Sequence, residues 1–144
     1  MTLRDFFKFV FFRTGDPTAH AIALISWIIA LWIVIAINAT MAMAFERDYQ
    51  QVWCDAHGGE VEVVLRDRTR VDCVVDMDGV AYAIEFDFAK KWAEAIGQAL
   101  YYGRMMNREP GIVLIVEDFN KDKKYIDRVT YATQGLGVRL WLTN

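Results

Sequence analysis

The sequence predicts an α/β domain carried behind one N-terminal apolar helix. Three observations predict it: a long uncharged run near the N-terminus, short alternating elements from Glu46 onward, and the order helix, three strands, helix, strand, helix, strand within them. The 144 residues suffice for one domain and an appendage, because single domains commonly take about 100 to 200 residues.

Between Asp16 and Glu46 the only ionisable side chain is His20. A helix crossing the hydrocarbon of a bilayer needs about 20 mostly apolar residues, and this run is long enough. A buried amphipathic helix would repeat polar residues at 3.6 spacing, whereas Ile22 to Ile37 offers only Ser26. Asp16 is placed to cap a helix starting at Pro17, where the missing N–H costs nothing. Residues 17–45 therefore read as a transmembrane helix or uncleaved signal anchor, and 46–144 as the folded domain. Residues 1–16, with Phe6, Phe7, Phe9, Phe11 and Phe12 around Lys8, read as a segment at the lipid interface.

Ala42-Met43-Ala44 has the small-x-small form of a signal cleavage site, but the apolar core exceeds the usual 7 to 15 or so residues, which favours retention. Arg4, Lys8 and Arg13 precede the segment and only Arg47 follows closely. This bias places the N-terminus in the cytoplasm and the domain on the periplasmic or extracellular side of the inner membrane. The two cysteines, Cys54 and Cys73, both fall in the exported part, where they can pair; the alternative is two buried free thiols.

In the domain, Tyr49, Trp53 and Ala56 sit at helical spacing before His57-Gly58-Gly59. Strand-like runs follow at Glu60 to Leu65, Arg70 to Asp76 and Val80 to Phe88, with turns at Asp67-Arg68 and Asp78-Gly79, an antiparallel meander. A helix is expected from Ala89 to about Asn107, a strand over Gly111 to Val116, a helix from about Lys121 to Thr133 and a strand over Val138 to Leu142. Strands separated by helices imply parallel crossovers, so the later strands join the meander in a mixed sheet.

The ionisable groups inside these apolar elements point to chemistry. Asp72 interrupts Val71 and Cys73-Val74-Val75, where a lone carboxylate is costly. Glu85 and Asp87 alternate with Ile84, Phe86 and Phe88, so one face of that strand carries both carboxylates, and Asp72 on the neighbouring strand can share it. Such a cluster repels itself unless a cation sits among it, and hard divalent ions take such oxygen ligands. The alternative is a solvated sheet face. On the next helix Lys91, Glu94, Gln98 and Tyr102 share one stripe at about 100° per residue. Lys90 points away from it, and Tyr101 is assigned to the core.

The stretches EVVLRDRTRVDC and AIEFDFAKKWAEAIGQALYY resemble the core of the PD-(D/E)XK nuclease superfamily, and in particular small, often exported bacterial proteins of that type. The likeness covers about Asp48 to Leu142. It implies a restriction-endonuclease-like αβββαβ core followed by a further helix and strand. It also implies phosphodiester hydrolysis in DNA or RNA with Mg²⁺ or Mn²⁺. The matching positions are Glu62 (Glu60 as a fallback) for the supporting glutamate, Asp72 and Glu85 for the two motif acids, and Asp87 as a further metal ligand. The motif lysine is absent, since Asp87 occupies its place, and Lys91 on the following helix stands in. Gln98 and Tyr102 resemble a Gln-x-x-x-Tyr element that positions the nucleic-acid backbone. Cys73, pointing to the opposite face from Asp72, is placed to tie the first helix through Cys54, a structural bond.

Charge argues against a broad nucleic-acid surface, because residues 46–144 hold 13 basic and 17 acidic side chains, a net of −4. Two local basic runs, Arg66-Arg68-Arg70 and Lys121-Lys123-Lys124, can compensate or be ordinary solvated loops. His20 and His57 lack metal-ligand spacing. Two rival functions remain: an envelope binding or assembly module that has lost catalysis, and a membrane protein acting through its helix, with Trp27 and Trp32 at a helix contact.

Overall fold

The computed structural model describes residues 17–144, and of residues 17, 19, 20 and 39–45 the backbone alone. The expected interfacial segment, its basic residues and the Asp16 cap lie outside the described residues. The chain forms two compact units, Met1–Met43 and Ala44–Asn144.

Helix α1 (Pro17–Ala56) begins in the first unit. Its stretch Ala21–Asn38 has a mean hydropathy of 2.5 over 18 residues, long and apolar enough to cross a membrane or to serve as a signal sequence. The two polar side chains in this stretch are satisfied by the helix itself: Ser26 Oγ donates to the Ile22 carbonyl at 2.8 Å and Asn38 Nδ2 to the Val34 carbonyl at 2.7 Å. Such back-bonding suits surroundings that offer no water. The sequence suggested a separate helix for the start of the domain, but α1 continues to Ala56. No Gly or Pro lies between Ala42 and Ala56 to interrupt it.

The second unit is an α/β domain with a five-stranded mixed sheet. Strands β1 (Glu60–Val64), β2 (Arg70–Met77) and β3 (Val80–Phe88) form the antiparallel meander; β4 (Glu109–Ile115) and β5 (Arg139–Thr143) add in parallel, in the order β1-β2-β3-β4-β5. Asp78 and Gly79 both adopt positive φ, 53° and 79°, as a tight two-residue hairpin turn requires. A 3₁₀ turn (Ala89–Lys91) leads into α2 (Trp92–Met106), and α3 (Phe119–Ala132) precedes β5. Asn107, in the left-handed region at φ 53°, closes α2, while the Asp118 side chain caps α3 by accepting from the Asn120 and Lys121 amides.

Alternation along β3 and β4 divides the core in two. Ile84, Phe86 and Val113 face Cys54 and Trp53 of α1, together with Cys73, Val75 and Trp141. Ile112 and Leu114 face Ala95 and Ala99 of α2 and Val129 of α3. The central strand is thus covered on both faces, and Ala83 to Phe88 are all buried. Tyr101, expected in the core, is 42% exposed, while Tyr102 beside it is buried. The sheet leaves room under α2 for one ring of the pair.

One ridge of α1 ties that helix to β2. Cys54 bonds Cys73 (Sγ–Sγ 2.01 Å, Cα–Cα 6.0 Å), and one turn earlier Gln50 Nε2 donates to the Asp72 carbonyl at 2.5 Å. Gly59 makes the approach possible, because a Cβ there would meet Cys54 Sγ at 2.6 Å and Cys73 Sγ at 2.9 Å. His57 stacks on Trp53, at 3.9 Å between centroids, and its Nδ1 bonds the Trp53 carbonyl at 2.7 Å.

Replacing both cysteines by serine is expected to destabilise the domain by about 3 kcal/mol, the loop-closure value for a separation of 19 residues. Gly59→Ala is expected to cost about 1 to 3 kcal/mol through overpacking. Denaturant midpoints of the purified variants check both, and unchanged midpoints would contradict this role for the bridge.

Candidate functional site

The β2–β3 ladder runs from Met77↔Val80 to Cys73↔Ile84, and Asp72 and Glu85 are the residues directly beyond its last pair. There the Asp72 side chain takes over from the backbone: its Oδ2 accepts from the Phe86 N–H at 2.8 Å. On the other side of β2 the pairs Val61↔Cys73 and Val63↔Val71 bracket Glu62, which has a left-handed φ of 58°. Glu62, Asp72 and Glu85 therefore follow one another across the sheet. Two residues beyond Glu85, Asp87 Oδ1 accepts from the Phe88 N–H at 2.9 Å and lies 3.3 Å from Lys91 Nζ.

Burial makes this group unusual. Glu85 is 6% exposed and Asp87 2%, and Glu85 Oε2 is buried with no hydrogen-bond partner. Burial, and then the neighbouring charges of Asp72, Asp87, Glu46 and Glu94, pushes Glu85 up to about 10. Burial likewise raises Asp72 to about 7, with Glu46, Glu62 and Asp87 adding to it and the Phe86 N–H opposing. Asp87 rises to about 6 through burial, offset by Lys91. Burial pulls the Lys91 ammonium down, and its bond and attraction to Asp87, with Glu46 and Glu94, more than reverse this, leaving it above its ordinary value.

The stripe expected on α2 meets the carboxylates. Lys91 joins Asp87, Glu94 adds its charge to Glu85, and Tyr102 is raised first by burial and then by Glu85 and Asp72, with a Gln98 hydrogen bond opposing. Tyr102 is 6% exposed, so its phenol feels the carboxylates from inside the domain. Lys90 lies over the Phe88 ring at 5.5 Å, apart from the stripe as its position implied.

Glu46 belongs to the group although nothing in the motif pattern singled it out. It sits one turn before Gln50 on the ridge that carries Cys54, so the contacts holding α1 to β2 bring its carboxyl to the others. Burial raises its pKa, Lys91 offsets this, and Glu94 adds to it. The i, i+4, i+8 spacing of Glu46, Gln50 and Cys54 puts the three on one ridge but does not by itself say what that ridge meets. The sequence candidate for a supporting glutamate, Glu62, has its carboxylate paired with Arg70, while its charge still reaches Asp72. Glu60, the fallback, is exposed on the edge strand.

The carboxyl oxygens here are of the type that ligates hard divalent cations, and one of them, Glu85 Oε2, is orphaned. Among the described residues no three His, Cys, Asp or Glu side chains already converge as ligands. Mg²⁺ needs no such cage, since it keeps several waters and binds through one or two carboxylates. Comparison with protein-family models, curated proteins and solved structures gave no match.

The cluster sets the sign of the pH dependence. A carboxyl whose folded pKa lies above its unfolded value holds a proton in the folded state that the unfolded chain has released. Without metal, the stability these groups contribute is therefore greatest below about pH 4 and falls as pH rises through the folded values of Asp87 and Asp72, with Glu85 extending the loss toward pH 10. Glu85→Gln should flatten the slope and make the metal-free protein more stable at pH 8, by at least about 1 kcal/mol. Thermal unfolding followed from pH 5 to 8 reads this; a variant less stable than its parent at pH 8 would contradict it.

Proposed function

We propose that the chain is a membrane-anchored, metal-dependent nuclease that hydrolyses phosphodiester bonds in DNA or RNA, built on a restriction-endonuclease-like core. The observation that carries the reading is the group formed by the buried carboxyls Glu85 and Asp87 and the half-buried Asp72, joined by Glu46 and faced by Lys91. A fold gains nothing from burying like charges together, whereas a cation site requires it. The resemblance of the Asp72 and Glu85 segments to the PD-(D/E)XK motif, and the helix, three-strand, helix, strand order, support the same conclusion.

Asp72 and Glu85 would hold the ion, with Asp87 or Glu46 completing its surroundings; when bound, Mg²⁺ or Mn²⁺ supplies a more acidic water and charge to offset the scissile phosphate. Lys91 replaces the missing motif lysine. Asp87, in that lysine's place, holds the ammonium 3.3 Å from its carboxylate, beside the other acids, where it can neutralise charge developing on the phosphate. Gln98 sits half-buried on the same stripe, placed to orient the backbone, while Tyr102, buried beside it, lies within the field of Glu85 and Asp72.

We place the domain outside the cytoplasm. The excess of Arg and Lys before the apolar helix supports this orientation, and the Cys54–Cys73 pair suits an oxidising compartment. The alternative, a binding module that has lost catalysis, draws its support from Asp87 standing where the motif has lysine.

The purified chain is expected to degrade oligonucleotides with Mg²⁺ or Mn²⁺ and not in EDTA. Asp72→Asn and Glu85→Gln should abolish this, and Lys91→Ala should lower kcat about 100- to 1,000-fold. Glu46→Gln should lower it as well, and Glu62→Gln should have the smaller effect because that carboxylate is engaged by Arg70. Protein inert toward DNA and RNA with both metals would overturn the enzymatic reading in favour of the binding module.

A further inference from the structure

We propose that the exposed flank of α2 and the turn between β1 and β2 form a binding track for single-stranded nucleic acid. The proposal rests on the nuclease reading and supplies its substrate class. Its first observation is Gly97, in the interior of α2. A Cβ built there meets nothing within 4 Å, and the residue is not among those with positive φ. Neither packing nor backbone geometry calls for glycine at this position, and glycine is a poor helix former. What it leaves is open space over the helix surface beside Gln98, where no side chain at position 97 stands in the way of another backbone.

The second observation is independent. Tyr101, one turn after Gly97, is 42% exposed and donates its hydroxyl to Asp67 in the β1–β2 turn. Thr69 bonds the same carboxylate through its amide at 3.1 Å and its hydroxyl at 2.7 Å. The turn is thereby tied to the helix, and the Tyr101 ring is held 5.6 Å from Tyr102, whose phenol feels the charges of Glu85 and Asp72. Arg66 and Arg68 flank Asp67 and are both exposed. Arg70 is paired with Glu62, whereas Arg66 and Arg68 form no ion pair among the described residues.

A held, exposed aromatic ring beside free guanidinium groups is the pattern that binds single strands, whose unstacked bases have a face to offer the ring. A duplex has its bases stacked internally and needs a wide basic surface, which a domain of net charge −4 does not provide. The track lies next to the carboxylates, so a strand bound along it presents its backbone to them.

The test uses the full chain in detergent with Ca²⁺ in place of Mg²⁺. Anisotropy of short labelled DNA and RNA single strands, and of the matching duplexes, is read across a salt series. Single strands should bind more tightly than duplexes. Arg66→Ala with Arg68→Ala should weaken binding and reduce the slope of log affinity against log salt by about 1.4, or about 0.7 for each phosphate contact on a single strand. Tyr101→Ala should weaken it about 5- to 100-fold. Gly97→Gln should weaken binding while raising the melting temperature, which separates an effect on the track from damage to the fold. Duplexes bound as tightly as single strands, or variants that bind like the parent, would overturn the track. Hydrolysis in Mg²⁺ is read separately: single-strand binding without hydrolysis leaves the track standing and removes the nuclease, while duplex hydrolysis without single-strand binding does the reverse.

Discussion

The arrangement depends on a side chain that does a backbone's work. At the end of the β2–β3 ladder the Phe86 N–H is satisfied by Asp72 Oδ2 at 2.8 Å. A buried amide must find a partner, and here it finds a carboxylate. That one bond draws a carboxyl into the sheet next to Glu85, where burial first and the neighbouring charges second raise both groups. Asp72 and Glu85 cannot both ionise cheaply, and Glu85 Oε2 is left with no partner.

Helix α1 holds this position in place from the opposite side of the strand. Successive turns of one ridge place Cys54 on Cys73, Gln50 on the carbonyl of Asp72, and Glu46 among the carboxyls. The bond between the cysteines is adjacent in sequence to the residue on which the site turns. A helix anchored at two points along β2 can neither slide nor roll there, so the placement of Glu46 is fixed by contacts that are themselves structural.

The sequence made most of the sheet legible, for identifiable reasons. Period-two alternation in Ile84-Glu85-Phe86-Asp87-Phe88, and the Asp78-Gly79 turn, left little freedom in β2 and β3. The α2 stripe was readable because helical spacing decides which side chains share a face. Glu46 was not readable as a site residue, since it comes directly after the apolar run and its relation to Asp72 arises only when Gln50 and Cys54 dock on β2. Tyr101 lies outside the core to which the sequence assigned it, because neighbouring positions on a helix differ by about 100° and only packing under α2 decides which ring enters. The pairing of Glu62 with Arg70 depends on a left-handed residue in β1, which no residue type in EVEVV announces.

The central claim is that these carboxyls are a cation site. Calorimetric titration of Mn²⁺ into the full chain at pH 7, in two buffers of different ionisation enthalpy, measures both affinity and protons released. Because burial raises Glu85 to about 10 and Asp72 to about 7 and a ligand must give up its proton, saturable binding is expected with release of about one to two protons per ion, and loss of binding in Glu85→Gln. No saturable heat, or binding that releases no proton and is unchanged in Glu85→Gln, would contradict it.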